Sequence, residues 1–133
     1  MYRVSREIEF CYGHRLLNYA GKCRHLHGHN GRVRVVLEAE KLDSLGMLVD
    51  FGEIKRKVEQ WIDDNLDHNM LLSKEDPLLP VLIERGERVL VMDHNPTAEN
   101  IARLIFDRTR ESGLPVVEVI LWETEKCYAS YRD

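Results

Sequence analysis

The chain has 133 residues, of which 44% are hydrophobic and 32% charged, with a formal net charge of −4. That size fits one domain around one core, and an acidic chain without a long Lys/Arg block excludes the usual footprint of a nucleic-acid or membrane-surface binder. Cys11, Cys23 and Cys127 cannot all pair within the chain and follow no secreted disulfide framework, so they read as thiols of a cytoplasmic protein.

The N-terminal "MYRVSREIEF" lacks the continuous apolar run of a signal peptide or membrane span. Instead Tyr2, Val4, Ile8 and Phe10 share one parity and Arg3, Ser5, Glu7 and Glu9 the other, which predicts a half-buried strand. "RVRVVLEAE" (32–40) repeats the alternation, and the two segments are expected to pair as a long hairpin. At "DFGEIKRKVEQWIDDNL" the period changes: Phe51, Ile54, Val58, Trp61, Ile62 and Leu66 recur at three- and four-residue steps, so a helix begins there with Asp50 and Glu53 as a capping box. A loop-rich segment (72–96) comes next, in which "RVLVMD" is a candidate for a short extra strand. "PTAEN" opens a second helix with Thr97 as N-cap, and Gly113 ends it. "PVVEVILWE" (115–123) is apolar at both parities, as in a strand covered on both faces, and "KCYASYR" (126–132) is expected to pair with it. The order strand, strand, helix, helix, strand, strand predicts a single α+β domain over residues 1–133, a four-stranded antiparallel sheet with two helices on one face.

Chemistry concentrates in "GKCRHLHGHN", which holds Cys23, His25, His27 and His29. In a fully extended segment all four side chains point one way, but each two-residue step covers ~6.6 Å, so only adjacent members reach one ion. We favour His27 and His29, which flank Gly28 at the start of the second strand; His14, at the end of the first, is placed to supply a third nitrogen. Three neutral imidazoles with an open fourth position make a catalytic rather than a closed zinc site. The alternative is that these are surface or hydrogen-bonded histidines. A structural Cys-and-His site would need a second cysteine pair that the chain lacks.

"FCYGHRL", "CRHLHGHN", "LVDFGEIK", "LDHNML", "PTAEN" and "LWET", in that order, resemble the 6-pyruvoyl- and 6-carboxytetrahydropterin synthase family of tunnelling (T-fold) enzymes over residues 4–132. The resemblance implies Zn2+ held by His14, His27 and His29 and a catalytic Cys23 acting as proton acceptor. It also implies Asp67 and His68 as the relay that activates that thiol, Glu123 as the anchor of the pterin ring counted with the relay, and Thr97 and Ala98 as lining of the pterin pocket. The implied substrate is 7,8-dihydroneopterin triphosphate, and the implied assembly is a homohexamer, two stacked trimers closing their sheets into a barrel with active sites between subunits. Three residues separate Cys23 from His27, a spacing similar to the branch that releases acetaldehyde and leaves a 6-carboxylate; the pyruvoyl-retaining branch has a longer gap. Where family members carry small residues before the first histidine ligand, this chain has "CYG", and His25 is an addition without an implied role. Arg15, Lys22, Arg24 and Arg32 all remain candidates to receive the triphosphate.

Overall fold

The computed structural model describes residues 1–133. Alternation in the first forty residues becomes one long antiparallel hairpin: β1 (Tyr2–His14) pairs with β2 (His27–Ala39) from Tyr2 opposite Ala39 to His14 opposite His27. Ile8, Phe10, Tyr12 and His14 share the buried face with Val33, Val35 and Leu37, while Glu7 and Glu9 point into solvent. This register is forced by the burial pattern, because a one-residue slip would put the whole apolar set in water.

The sheet is six-stranded and mixed, not the four-stranded antiparallel sheet expected. β3 (Asn69–Ser73) and β4 (Val89–Met92) add to the β1 side in parallel, and β5 (Val116–Trp122) and β6 (Tyr128–Arg132) to the β2 side antiparallel, in the order β4-β3-β1-β2-β5-β6. β3 escapes pattern reading because Leu71 and Leu72 are both buried, and a short strand covered on both faces shows no alternation. β5 departs the other way. Val116, Val119 and Leu121 are buried, but Val117, Ile120 and Trp122 on the opposite face are only half-buried, so the chain itself covers a single face. The Arg32 guanidinium lies 4.2 Å over the Trp122 ring and shields part of it.

The first helical run comprises α1 (Phe51–Ile54), a π segment (Lys55–Glu59) and α2 (Gln60–Asn65). Its buried residues Ile54, Val58, Ile62 and Leu66 are spaced by four. At 3.6 residues per turn each such step drifts by about 40°, and the wider π turn takes up that drift so that all four face the sheet. Phe51, expected on this stripe, is exposed. Asp50 caps the start through the Gly52 amide, while Glu53 turns to Arg56 and Lys57 instead of closing the capping box. α3 (Leu79–Glu84) is a short helix within the expected loop, opened by Pro80 in its first turn. α4 (Ala98–Glu111) buries Ile101, Ala102, Ile105 and Phe106, is capped by Thr97 through the Asn100 amide, and is followed by Gly113 at φ +88. No helix is long and apolar enough to cross a membrane.

One ion pair fixes the loop leaving β1. Arg15 grips Asp76 with two guanidinium nitrogens, and Asp76, whose side chain is 0% exposed, also accepts the Leu78 amide at 2.8 Å. Arg15 and then the Leu78 amide hold the Asp76 carboxyl below the usual range despite its burial. A carboxyl depressed in the fold stabilises above its unfolded value of ~3.9 and loses that stabilisation as pH falls through the lower folded value. Asp76→Asn is therefore expected to cost about 3 kcal/mol at neutral pH, as for a broken buried pair with one partly exposed member, and to flatten the acid limb of the stability curve. Urea unfolding between pH 3 and 7 checks this, and parallel wild-type and variant curves would refute it.

Candidate active site

The hairpin register brings three of the sequence-selected histidines together at the end of β1 and β2 that the 15–26 connection joins. His14 stands opposite His27, and His29 opposite Tyr12 on the same face. The ring centroids are 4.5 Å (His14 and His27), 5.0 Å (His14 and His29) and 5.1 Å (His27 and His29) apart. Their ligand atoms all lie within 4.8 Å of one another, a cluster that can hold a metal ion.

Tautomers follow from the partners. His14 Nδ1 is 2.6 Å from the Pro96 carbonyl and His27 Nδ1 is 2.7 Å from the His25 carbonyl. A carbonyl only accepts, so both Nδ1 atoms carry the proton and both Nε2 lone pairs are free, the orientation that carbonyl partners give metal-bound histidines. His27 Nε2 is buried with no hydrogen-bond partner, a cost that a bound cation removes. His14 Nε2 and His29 Nε2 are 3.1 Å apart, close to the ~3.3 Å edge of a tetrahedron with Zn–N bonds of ~2.0–2.1 Å. Burial lowers the pKa of both His14 and His29, which favours neutral imidazoles. The donor set fits zinc. His25, without a role in the sequence, serves through its main chain; its ring is exposed and accepts from Arg24.

Glu123 reaches this cluster from the end of β5. Its amide bonds the Cys127 carbonyl, and the Thr124 hydroxyl accepts the amides of Lys126 and Cys127, so "LWET" builds a tight turn that fixes the glutamate. Glu123 Oε1 lies 3.8 Å from His14 Nε2 and accepts the Tyr12 hydroxyl at 3.3 Å. Glu123, His29, Cys11, Asp67, His68 and Trp122 line one cleft of about 1150 Å³, large enough for a small-molecule substrate.

Asp67 and His68 sit in the turn before β3. His68 adopts φ +60, its amide bonds the Cys11 carbonyl, and its Nδ1 donates to Asp67 Oδ2 at 2.7 Å. Asp67 Oδ1 accepts the Cys11 amide. Although burial opposes its charge, that amide and the His68 ring pull the Asp67 carboxyl below its usual range. The thiol that His68 touches within this chain is Cys11, with Sγ 3.5 Å from Nδ1. Cys23 is half-buried on a single 3-10 turn, Lys22–Arg24, where its carbonyl holds the Leu16 amide.

In "PTAEN" the atom that reaches the histidines is the Pro96 carbonyl. Thr97 is engaged in capping and Ala98 packs against the core, and neither lines the two clefts at this end. Asn95 exchanges two hydrogen bonds with the Leu17 backbone and Asn100 anchors the Asn95 carbonyl, so the segment holding His14 is itself held. Of the cations considered for triphosphate, Arg15 is committed to Asp76 and Arg32 to Glu7 and Trp122, while Lys22 and Arg24 are exposed. Tyr12, Cys11, Pro96 and Asp76 were not selected from the sequence. The one available signal was "CYG", an aromatic on the buried parity two residues before His14.

Fold and cluster together define the class, an α+β protein of the T-fold type with a tri-histidine site able to hold a metal. The chain belongs to the 6-pyruvoyl tetrahydropterin synthase family, whose sequence profile matches residues 3–133. A Rickettsia typhi protein named 6-carboxy-5,6,7,8-tetrahydropterin synthase is 38% identical over 96% of this chain and 98% of its own. The solved structure of an uncharacterised protein from Wolinella succinogenes superposes with a TM-score of 0.83 at 29% identity, covering 99% of this chain and 98% of that one. The 6-pyruvoyl tetrahydropterin synthase of Caenorhabditis elegans shares the fold, with a TM-score of 0.74 at 22% identity over 99% of this chain and 95% of that one.

Proposed function

We propose that this protein is a zinc-dependent cytoplasmic enzyme that converts 7,8-dihydroneopterin triphosphate and water to 6-carboxy-5,6,7,8-tetrahydropterin, acetaldehyde and triphosphate, a step of the queuosine (7-deazaguanine) pathway. The observation that carries the reading is the unpartnered, buried Nε2 of His27 converging with His14 and His29 beside the carboxylate of Glu123. The names of its relatives and the short Cys23-to-His27 spacing support the carboxylate-forming branch.

Zinc at His14, His27 and His29 supplies Lewis-acid activation of the substrate's side-chain oxygens. Glu123 offers a carboxylate to the paired N–H donors of an aminopyrimidine edge. Cys23 accepts the proton from the substrate side chain; a thiol of ordinary pKa ~8.5 needs a basic neighbour for this. With Nδ1 donated to Asp67, His68 presents Nε2 as that base. Thr97 and Ala98, which line neither cleft of the single chain, would contribute to the wall of the pterin pocket only where subunits meet. Within the protomer His68 meets Cys11, so the reading joins Asp67 and His68 of one protomer to Cys23 of another in a homohexamer. The half-buried outer face of β5 and the open edges at β4 and β6 support such an assembly.

Zinc-loaded protein incubated with 7,8-dihydroneopterin triphosphate is expected to yield 6-carboxytetrahydropterin and acetaldehyde by mass analysis. A 6-pyruvoyl product would move it to the other branch, and no turnover would overturn the activity.

A further inference from the structure

Tyr12 is a phenol buried against the histidine cluster. Its side chain, at 3% exposed, lies between the stacked Phe10 ring at 5.2 Å and the rings of His14 and His29 at 5.3 and 5.6 Å. The partner strand makes room for it, because a Cβ on Gly31 would come within 2.9 Å of the Tyr12 ring. A buried phenol needs a partner, and the one it has is Glu123 Oε1 at 3.3 Å. A carboxylate oxygen only accepts, so the Tyr12 hydroxyl is the donor of this bond.

The same Oε1 atom is 3.8 Å from His14 Nε2. Two donors on one tetrahedral zinc, with bonds of ~2.0–2.2 Å, stand ~3.4 Å apart, so Glu123 is a few tenths of an ångström from ligand range of His14. It is nevertheless not among the donors that converge. A carboxylate so placed competes for the fourth coordination position, which a catalytic site must keep for substrate.

We propose that Tyr12 is a positioning residue whose hydroxyl holds Glu123 at the rim of the tri-histidine site, preventing it from closing that site as a fourth ligand. The inference rests on the reading of His14, His27 and His29 as a metal centre. It gives the unusual "CYG" a purpose: the aromatic side chain keeps metal and glutamate available as separate groups.

The test uses the full-length protein loaded with Co2+, whose visible spectrum reports coordination, and imidazole as a neutral exogenous ligand. Wild-type protein is expected to bind imidazole at the open position. In Tyr12→Phe, which keeps the packed ring, imidazole affinity is expected to fall about tenfold, or about 1.4 kcal/mol, with Co2+ held more tightly against a chelator. Tyr12→Phe combined with Glu123→Gln is expected to restore imidazole binding, a rescue that a merely structural role of the phenol would not give. Unchanged imidazole affinity in Tyr12→Phe, or a loss that Glu123→Gln does not rescue, overturns the inference while leaving the metal centre intact. Full Co2+ retention by His27→Ala overturns the metal reading and this inference together.

Discussion

His27→Ala is expected to lose bound zinc and turnover together. The substitution removes the one buried nitrogen of the cluster that has no protein partner and leaves two imidazoles, His14 and His29, where the geometry provides three. An isolated pair lacks the three-point chelation of a catalytic zinc site, so metal analysis after dialysis should fall from near one equivalent to a small fraction. Thermal unfolding gives a second readout: zinc held by the folded cluster is expected to raise the melting temperature of the wild type and to leave that of His27→Ala almost unmoved. His25→Ala is the internal control, because the His25 contribution is a main-chain carbonyl 2.7 Å from His27 Nδ1 that any residue supplies. Full zinc occupancy in His27→Ala, or loss of zinc in His25→Ala, would show that the wrong nitrogens had been assigned.

Legibility in the sequence tracked periodicity and reach. The hairpin of β1 and β2 could be read because solvent and core alternate along it, and that hairpin carries the histidines. Once His14 and His27 end and begin paired strands, their meeting is a consequence of the register. β3 could not be read in the same way, since Leu71 and Leu72 are both buried and five residues after a helix show no period. Without β3 the placement of Asp67 and His68 is hidden too, because both are held against β1 by backbone bonds at Cys11 that exist only where β3 runs parallel to β1. Main-chain contributors were equally invisible. The Pro96 and His25 carbonyls orient two imidazoles, and a carbonyl leaves no mark in side-chain identity. Tyr12 shows a third kind of loss, a side chain whose parity predicts burial but whose hydroxyl partner, Glu123, lies 111 positions away.

Cys23→Ala and His68→Ala are each expected to retain zinc and lose turnover, about 10²–10⁴-fold for removal of a general acid–base group, and to regain activity when mixed. Neither residue belongs to the tri-histidine cluster, so metal content should stay at the wild-type level in both. Within one protomer the ring of His68 contacts Cys11, and no hydrogen bond joins it to Cys23. If the relay of one subunit serves the thiol of another, a mixed oligomer contains interfaces where an intact Cys23 meets an intact His68. Random pairing at equal input in a ring with head-to-tail interfaces makes these about a quarter of all sites, and the mixture should reach about that share of wild-type activity after subunit exchange. Two variants acting on a site built within each protomer cannot complement in this way. A mixture that stays inactive despite demonstrated exchange would therefore place the chemistry inside the protomer, where the thiol that His68 touches is Cys11; Cys11→Ser, with its Sγ replaced by a far weaker acid, would then be the variant that loses turnover.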